Sequence, residues 1–190
     1  MWLFLLPLLT GFLFNWASAF TGFFSRRYGE QAGRRITFIL RNMFGIPVWS
    51  LGLVMAYSVS SPLLLPAAPI LEAAGWALIA GGGCLILWAV GLLGWRAIRP
   101  TVRDSLVDSG PYSRIRHPIH SGVLLEFLGL ILVRPMAVCI LACLLGCLYI
   151  CVQSRLEEID LLSRMPSYRQ YMDRLPRFLP HIGRKPGSQA

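Results

Sequence analysis

Residues 118–164 read PIHSGVLLEFLGLILVRPMAVCILACLLGCLYICVQSRLEEIDLLSR. Apolar runs at 119–133 and 136–152 are parted only by Arg134-Pro135. In lipid, backbone polar groups must be satisfied within the segment, which makes each run a helix. Proline disfavours helix in the residue before it, so the chain breaks at Arg134 and returns as an antiparallel hairpin. The second helix is expected to run on through Gln153 to Arg164, until Pro166 stops it. Ser167 is placed to cap a last short helix through Asp173. The polar flanks of the hairpin, 100–120 and 153–180, then meet at one membrane face. They hold most of the acids and, with His181 at the boundary, all three histidines.

Outward from the hairpin, apolar runs at 1–24, 43–64 and 70–95 add three more spans, each near the roughly 20 residues that cross a bilayer. The chain is 55% hydrophobic and 14% charged, where a soluble domain carries about a quarter charged residues. Its net charge is +9, nearly all the basic residues being Arg. In so apolar a chain that charge suits an anionic membrane surface, and no nucleic-acid partner is expected. Residues 1–24 end near Ala17-Ser18-Ala19, which resembles a signal-peptidase site. No Lys or Arg precedes Arg26, so the run lacks a basic n-region and reads as a retained first span. Gly81-Gly82-Gly83 falls within the third span, where it either bends the helix or admits a neighbour at close range.

The Lys and Arg residues fall into alternate loops: five after span one (Arg26, Arg27, Arg34, Arg35, Arg41), five after span three (Arg96, Arg99, Arg103, Arg114, Arg116), and seven in the C-terminal region (Arg155, Arg164, Arg169, Arg174, Arg177, Arg184, Lys185). The loop after span two has none, and the hairpin has Arg134 alone. The positive-inside rule places the rich side in the cytoplasm. The expected fold is therefore an all-α polytopic membrane protein: five transmembrane helices, the N-terminus outside, and a C-terminal cytoplasmic helical extension. Residues 1–95 form the three N-terminal spans and 96–190 the region of chemistry. The short loops point to a bacterial inner membrane.

Of the five cysteines, Cys139, Cys143, Cys147 and Cys151 recur every fourth residue and Cys84 stands apart. On a helix the four form a slowly drifting stripe of small, soft residues suited to a packing seam. No histidine or acid joins them, so no metal is expected there.

Three clusters can carry chemistry. In the first, Gly110-Pro111-Tyr112 makes a turn and Arg116-His117-Pro118 leads into a helix with proline at its first turn. The free N–H groups and dipole of that helix start can hold a carboxylate or phosphate. Alternatively, Arg116 and His117 snorkel to the interface. The second is Arg155, Glu157 and Glu158. Neighbouring helical residues point about 100° apart, so only one of the glutamates faces a given cleft, while Arg155 and Glu158 are spaced to pair. The third is Tyr168, Tyr171, Arg174 and Arg177, of which Tyr168 and Arg174 read as interface anchors. Glu126 lies inside span four, where an ionisable group is costly; it is either functional, protonated or paired.

In order along the chain, Gly110-Pro111-Tyr112, Arg116-His117-Pro118, Gly122, Glu157-Glu158, Tyr168, Tyr171 and Pro176-Arg177 resemble the isoprenylcysteine carboxyl methyltransferase family, whose broad plan phospholipid methyltransferases share. The likeness covers residues 96–181. It implies an S-adenosylmethionine-dependent methyltransferase working on a lipophilic acceptor. The implied cofactor positions are Asp104, Ser105, Leu106, Val107, Tyr112, Arg116, His117, Pro118, Ile119, His120 and Glu157. Glu157 would take the ammonium, Arg116 or the helix start the carboxylate, and Tyr112 the sulfonium or adenine. Glu158, Arg155 and Glu126 are the catalytic candidates, and Gln153 and Arg177 the substrate-binding ones. His120 stands where the family usually has Tyr. Gln153 stands where the carboxyl methyltransferases carry an Arg thought to address the substrate carboxylate. A carboxylate acceptor needs no base, whereas an amine, thiol or phenol does; Glu158, His120 or Glu126 could serve. The competing readings are a phospholipid N-methyltransferase, an NADPH-dependent membrane reductase of the sterol-reductase type, and a non-enzymatic membrane protein. The reductase reading has no G-x-G-x-x-G turn to support it.

Overall fold

The computed structural model describes residues 2–66, 68–102 and 104–180. Arg103, Arg184 and Lys185, counted above on the basic side, and His181 lie outside them. Among the described residues the chain is helical and forms no strand. A short turn at Trp2–Phe4 opens α1 (Leu5–Ser18), and α2 (Thr21–Tyr28) and α3 (Glu30–Phe38) follow. Wide π-type turns over Ile39–Gly45 lead into α4 (Ile46–Ser58). Next come α5 (Pro69–Leu93), α6 (Trp95–Ile98), a tight turn at Gly110–Ser113, α7 (Pro118–Val133), α8 (Ala137–Arg164) and α9 (Tyr168–Arg174).

Among the described residues, three helices are long and apolar enough to cross a membrane: Glu30–Ser58, Pro69–Leu93 and Ala137–Arg164. The bent pair α1–α2 makes up to four, and α7 is apolar but shorter. Large side chains on the outside are apolar, among them Leu6, Leu13, Leu51, Val54, Leu87, Leu128, Leu144 and Leu148, as lipid-facing surfaces require.

Two expectations about the first half are corrected. Residues 1–24 are not one helix: the chain bends by 62° between α1 and α2. Ser18 Oγ donates to the Asn15 carbonyl at 2.6 Å, a local bond that competes with the helical ladder. The Asp160 carboxylate then accepts the Gly22 N–H at 2.8 Å in the first turn of α2. Nor is 26–41 a loop. Gly29, at φ 86°, makes the corner between α2 and α3, and the second long helix starts at Glu30, so Arg34, Arg35 and Arg41 are helical.

The hairpin of α7 and α8 forms as expected, with α8 running on to Arg164. Ser167 precedes α9, but its side chain makes no capping bond and its backbone is already helical. The glycine triplet admits a neighbour and leaves α5 unbroken. α5 and α7 pack antiparallel through two glycine pairs seven residues apart on each helix, Gly82 on Gly122 and Gly75 on Gly129. A Cβ at Gly82 would lie 2.5 Å from the Gly122 carbonyl oxygen. In the core, Cys139 and Cys143 are buried beside Phe12, Phe127 and Ala142, while Cys147 is half-buried and Cys151 exposed. The cysteine stripe thus drifts out of a packing seam.

The connections gather at two ends. At one, the segment after α4 meets the α7–α8 corner: Leu64 N–H donates to the Pro135 carbonyl and Ala137 N–H to the Pro62 carbonyl, both at 2.9 Å. At the other, α2, the π-type turns, the segment after α6 and the polar end of α8 converge. Asn42 Nδ2 donates to the Ile98 carbonyl at 3.2 Å and Arg164 Nη1 to the Thr101 carbonyl at 2.6 Å.

The glycine contacts make a paired prediction. Gly82→Ala should cost about 1–3 kcal/mol by overpacking against backbone that cannot retreat. Gly91→Ala on the same helix has nothing within 4 Å of the new Cβ and should be neutral or slightly stabilising. Unfolding midpoints in detergent check both.

Candidate active site

Where α8 leaves its apolar stretch it carries Gln153, Ser154, Glu157, Glu158, Asp160 and Arg164. The two adjacent glutamates have different surroundings. Glu158 is fully buried, its side chain 0% exposed. Arg177 holds it with two bonds, Nε to Oε1 at 3.1 Å and Nη2 to Oε2 at 2.6 Å. Arg116 Nη2 lies 3.1 Å from Oε1 and His117 Nε2 3.3 Å from it. The bonding of Arg177 to Glu158 raises the already high Arg177 pKa further. Arg155 reaches Oε2 only from the rim, at 3.7 Å and 60% exposed.

This carboxylate joins three segments. The Arg116 and His117 N–H groups donate to the Pro176 and Arg177 carbonyls at 3.0 and 3.1 Å. Arg116 Nη1 donates to the Met172 carbonyl at 2.9 Å and Ser121 Oγ to the Phe178 carbonyl at 2.7 Å. The Tyr171 hydroxyl donates to the Tyr112 carbonyl at 2.6 Å. The post-α9 strap is thereby fixed across the start of α7.

Glu157 turns the other way, into a cavity of about 510 Å³, a size usual for small-ligand sites. Its Oε1 accepts from Gln153 Nε2 at 2.8 Å and faces Arg41 Nη2 at 3.4 Å. Its Oε2 faces His117 Nδ1 at 3.8 Å and His120 Nε2 at 3.9 Å. The two imidazoles stack, with centroids 5.1 Å apart. The walls are apolar deeper along the helices, at Trp49, Ile86, Val90 and Val123, and polar at their ends, at Arg41, Arg96, Asp104 and Glu157. His120 Nδ1 and Gln153 Oε1 are buried there without a hydrogen-bond partner.

Of the residues picked out in sequence, Asp104, Ser105, Leu106, Val107, Tyr112, Arg116, His117, Ile119, His120, Gln153 and Glu157 all line this cavity. Pro118 is buried in the first turn of α7. Glu158 and Arg177 stand behind the wall as an ion cluster, and Arg155 is outside it. Glu126 packs against α5 beside Gly82 and Gly83 and does not itself line the cavity. Asp104 holds its own loop, accepting from Thr101 N–H and Oγ1, both at 2.8 Å. Arg96 Nη1 donates to Ser105 Oγ at 3.0 Å.

Sequence reasoning missed Arg41, Asn15, Asn42, Tyr149, Asp160 and Arg164, all of which line the cavity. Asn15, which donates to the Tyr149 hydroxyl, was visible as a lone amide in an apolar run. The four-residue spacing of Asp160 and Arg164, paired at 2.8 Å, was visible too. Arg41 needed the π-type turns, which sequence periodicity does not show. Tyr168, expected as an interface anchor, is buried and lines the cavity. Burial, reinforced by the Glu157 charge, pushes the Tyr112 hydroxyl pKa well up. Burial does the same for Tyr168 and Tyr171, so these phenols stay protonated, and that of Tyr171 donates to the Tyr112 carbonyl.

The phospholipid methyltransferase family pattern matches residues 71–165, from α5 through the end of α8. The chain belongs to this family. The matched half holds Tyr112, the Arg116–His120 run and both glutamates; α9 and the strap lie beyond it. The chain is also 38% identical over 81 residues to the cobalt-zinc-cadmium resistance protein CzcN of Cupriavidus metallidurans, covering 42% of this chain and 37% of that protein. It thus spans well under half of that relative's length. No solved structure matches the chain.

The buried carboxylate generates a stability prediction. Glu158→Gln leaves Arg116 and Arg177 without their counter-charge and should cost about 3–5 kcal/mol. Arg155→Ala removes an exposed pair and should stay within about 1 kcal/mol. Chemical unfolding in detergent distinguishes the two.

Proposed function

We propose that this chain is an integral membrane methyltransferase that moves a methyl group from S-adenosylmethionine to a lipophilic acceptor. The observation that carries the proposal is the cavity itself. It is polar where the helices end, with one carboxylate oxygen of Glu157 turned inward, and apolar where they continue into the membrane-spanning stretch. The five-span arrangement, with the N-terminus outside and this polar end in the cytoplasm of a bacterial inner membrane, belongs to the same proposal. It is supported by the basic residues crowding one end and by the pairing of the loops at the other.

The residues fit the donor. Glu157 Oε2 suits its ammonium, the Asp104–Val107 segment and Tyr112 flank the space for its nucleoside, and Arg96 and Arg41 supply cations for its carboxylate. The bound donor supplies an electrophilic methyl on a sulfonium. The chain then has to hold the acceptor in line and exclude water. Apolar walls at Trp49, Ile86 and Val123 suit the acyl or prenyl part of an acceptor arriving from the bilayer. Gln153 at the cavity, in place of an arginine, favours an acceptor without a carboxylate. The family's phospholipid designation favours an amine headgroup. For an amine, His120 is the candidate base: it lines the cavity and its Nδ1 has no partner.

Purified protein incubated with lipid extract and deuteromethyl-labelled donor should yield one labelled lipid class by mass spectrometry. Absence of label across amine, acid and thiol acceptors would sink the proposal. Glu157→Gln should weaken S-adenosylhomocysteine binding about 10- to 100-fold, the loss of one charge-assisted bond, at an unchanged unfolding midpoint. NADPH should not bind; saturable NADPH binding would favour the reductase reading instead.

A further inference from the structure

His117, His120 and Glu157 form a cluster in which one ligand atom from each lies within 4.8 Å of the others, with His117 Nδ1 and His120 Nε2 both facing Glu157 Oε2. We propose that this triad is a binding site for a divalent transition-metal ion of the zinc and cobalt class, open on its cavity side. The cysteine stripe, where no metal is expected from the sequence, contributes no ligand to this site.

Four features point to a metal. Two ligands bound tetrahedrally at about 2.1 Å are about 3.4 Å apart, and the His117–Glu157 and His120–Glu157 pairs stand at 3.8 and 3.9 Å. A contraction of a few tenths of an ångström brings each imidazole into range of Glu157, and rotation of the two rings brings the imidazole nitrogens, within 4.8 Å of one another, to the spacing of a shared ion. The second feature is the shell behind the ligands. The far nitrogen of His117, Nε2, faces Glu158 Oε1 at 3.3 Å, and Glu158 is itself clamped by Arg177 and Arg116. A carboxylate behind a histidine fixes the tautomer that turns the other lone pair toward a metal. Third, Gln153 and Arg41 occupy only Glu157 Oε1, which leaves Oε2 toward the imidazoles. Fourth, His120 Nδ1 is buried without a partner. No hydrogen bond on that side therefore fixes the ring, which can turn Nε2 toward an ion shared with Glu157.

Two imidazoles and one carboxylate suit zinc, cobalt or nickel rather than magnesium or calcium, which prefer all-oxygen sites. Three protein ligands with an open fourth place resemble reactive metal sites more than closed structural ones. Arg41, 3.4 Å from Glu157 Oε1, opposes added positive charge. The expected affinity is therefore micromolar, below that of a cysteine-rich structural site. Glu157 is also the residue proposed for the donor's ammonium, so metal and donor would exclude one another. The metal site does not depend on the methyl-transfer reading, because it is read with the ion alone.

The test is a cobalt(II) titration of the full-length, untagged protein in detergent, followed by visible absorption and competed with zinc. The expected result is one cobalt per chain with ligand-field bands, abolished by zinc. His120→Asn and Glu157→Gln should each weaken binding by at least about tenfold. His120 is chosen because its ring makes no bond needed for packing against Glu158, so the fold is expected to survive; unchanged helicity and melting temperature verify that. His181→Asn and the exposed-thiol pair Cys84→Ser and Cys151→Ser should leave binding intact. Three results would overturn the site: no saturable cobalt binding, binding undiminished in both triad variants, or binding lost in the thiol or His181 controls.

Discussion

Everything at the polar end of this molecule depends on one buried charge. Glu158 has no access to water and is met by Arg177, Arg116 and His117. A lone carboxylate in that position would be strongly disfavoured, and the attraction of its partners offsets the desolvation only if all are held in place. The backbone meets that requirement. The N–H groups of Arg116 and His117 are tied to the strap at Pro176 and Arg177, so the cations reach Glu158 from both sides. The strap, the start of α7 and the end of α8 therefore assemble together or not at all. One consequence follows for the neighbouring residue. With Glu158 fixed inward, helical geometry leaves Glu157 facing the cavity.

The packing of the spans has a different origin. Lipid gives no hydrophobic reward for bringing two helices together, so close van der Waals fit must do it. The paired glycines of α5 and α7 supply that fit. α8 meets the bundle through small or soft residues, Ala142, Cys139 and Cys143, and through the stacked rings of Phe12 and Tyr149.

Much of this was legible in the sequence for identifiable reasons. The α7–α8 hairpin follows from two apolar runs with only Arg134-Pro135 between them. The extension of α8 follows from a polar stretch without a breaker before Pro166. The division of labour between Glu157 and Glu158 follows from helical angle alone. Hydropathy could not show the bend at Ala19–Phe20, because the run stays apolar while a long-range bond from Asp160 takes the N–H of Gly22. It also could not show that Arg34, Arg35 and Arg41 are helical, since charge reads as loop when lipid is assumed. An aromatic beside arginines has the composition of an anchor, whereas contact with Tyr171 and burial at the cavity wall decide the place of Tyr168.

The wide turns of Ile39–Gly45 have a further consequence. A π-type segment accommodates a residue more than an α-helix of the same rise, so a one-residue deletion there could be absorbed by tightening to ordinary pitch, leaving α3 and α4 in phase. The bulge that carries Arg41 and Asn42 to the cavity would vanish with it. As a strut the helix tolerates shortening at this place; as a wall of the cavity it does not. The two demands on a single helix are separable at one locus, and a homologue lacking the extra residue would keep the architecture while meeting its ligand with a different set of polar groups.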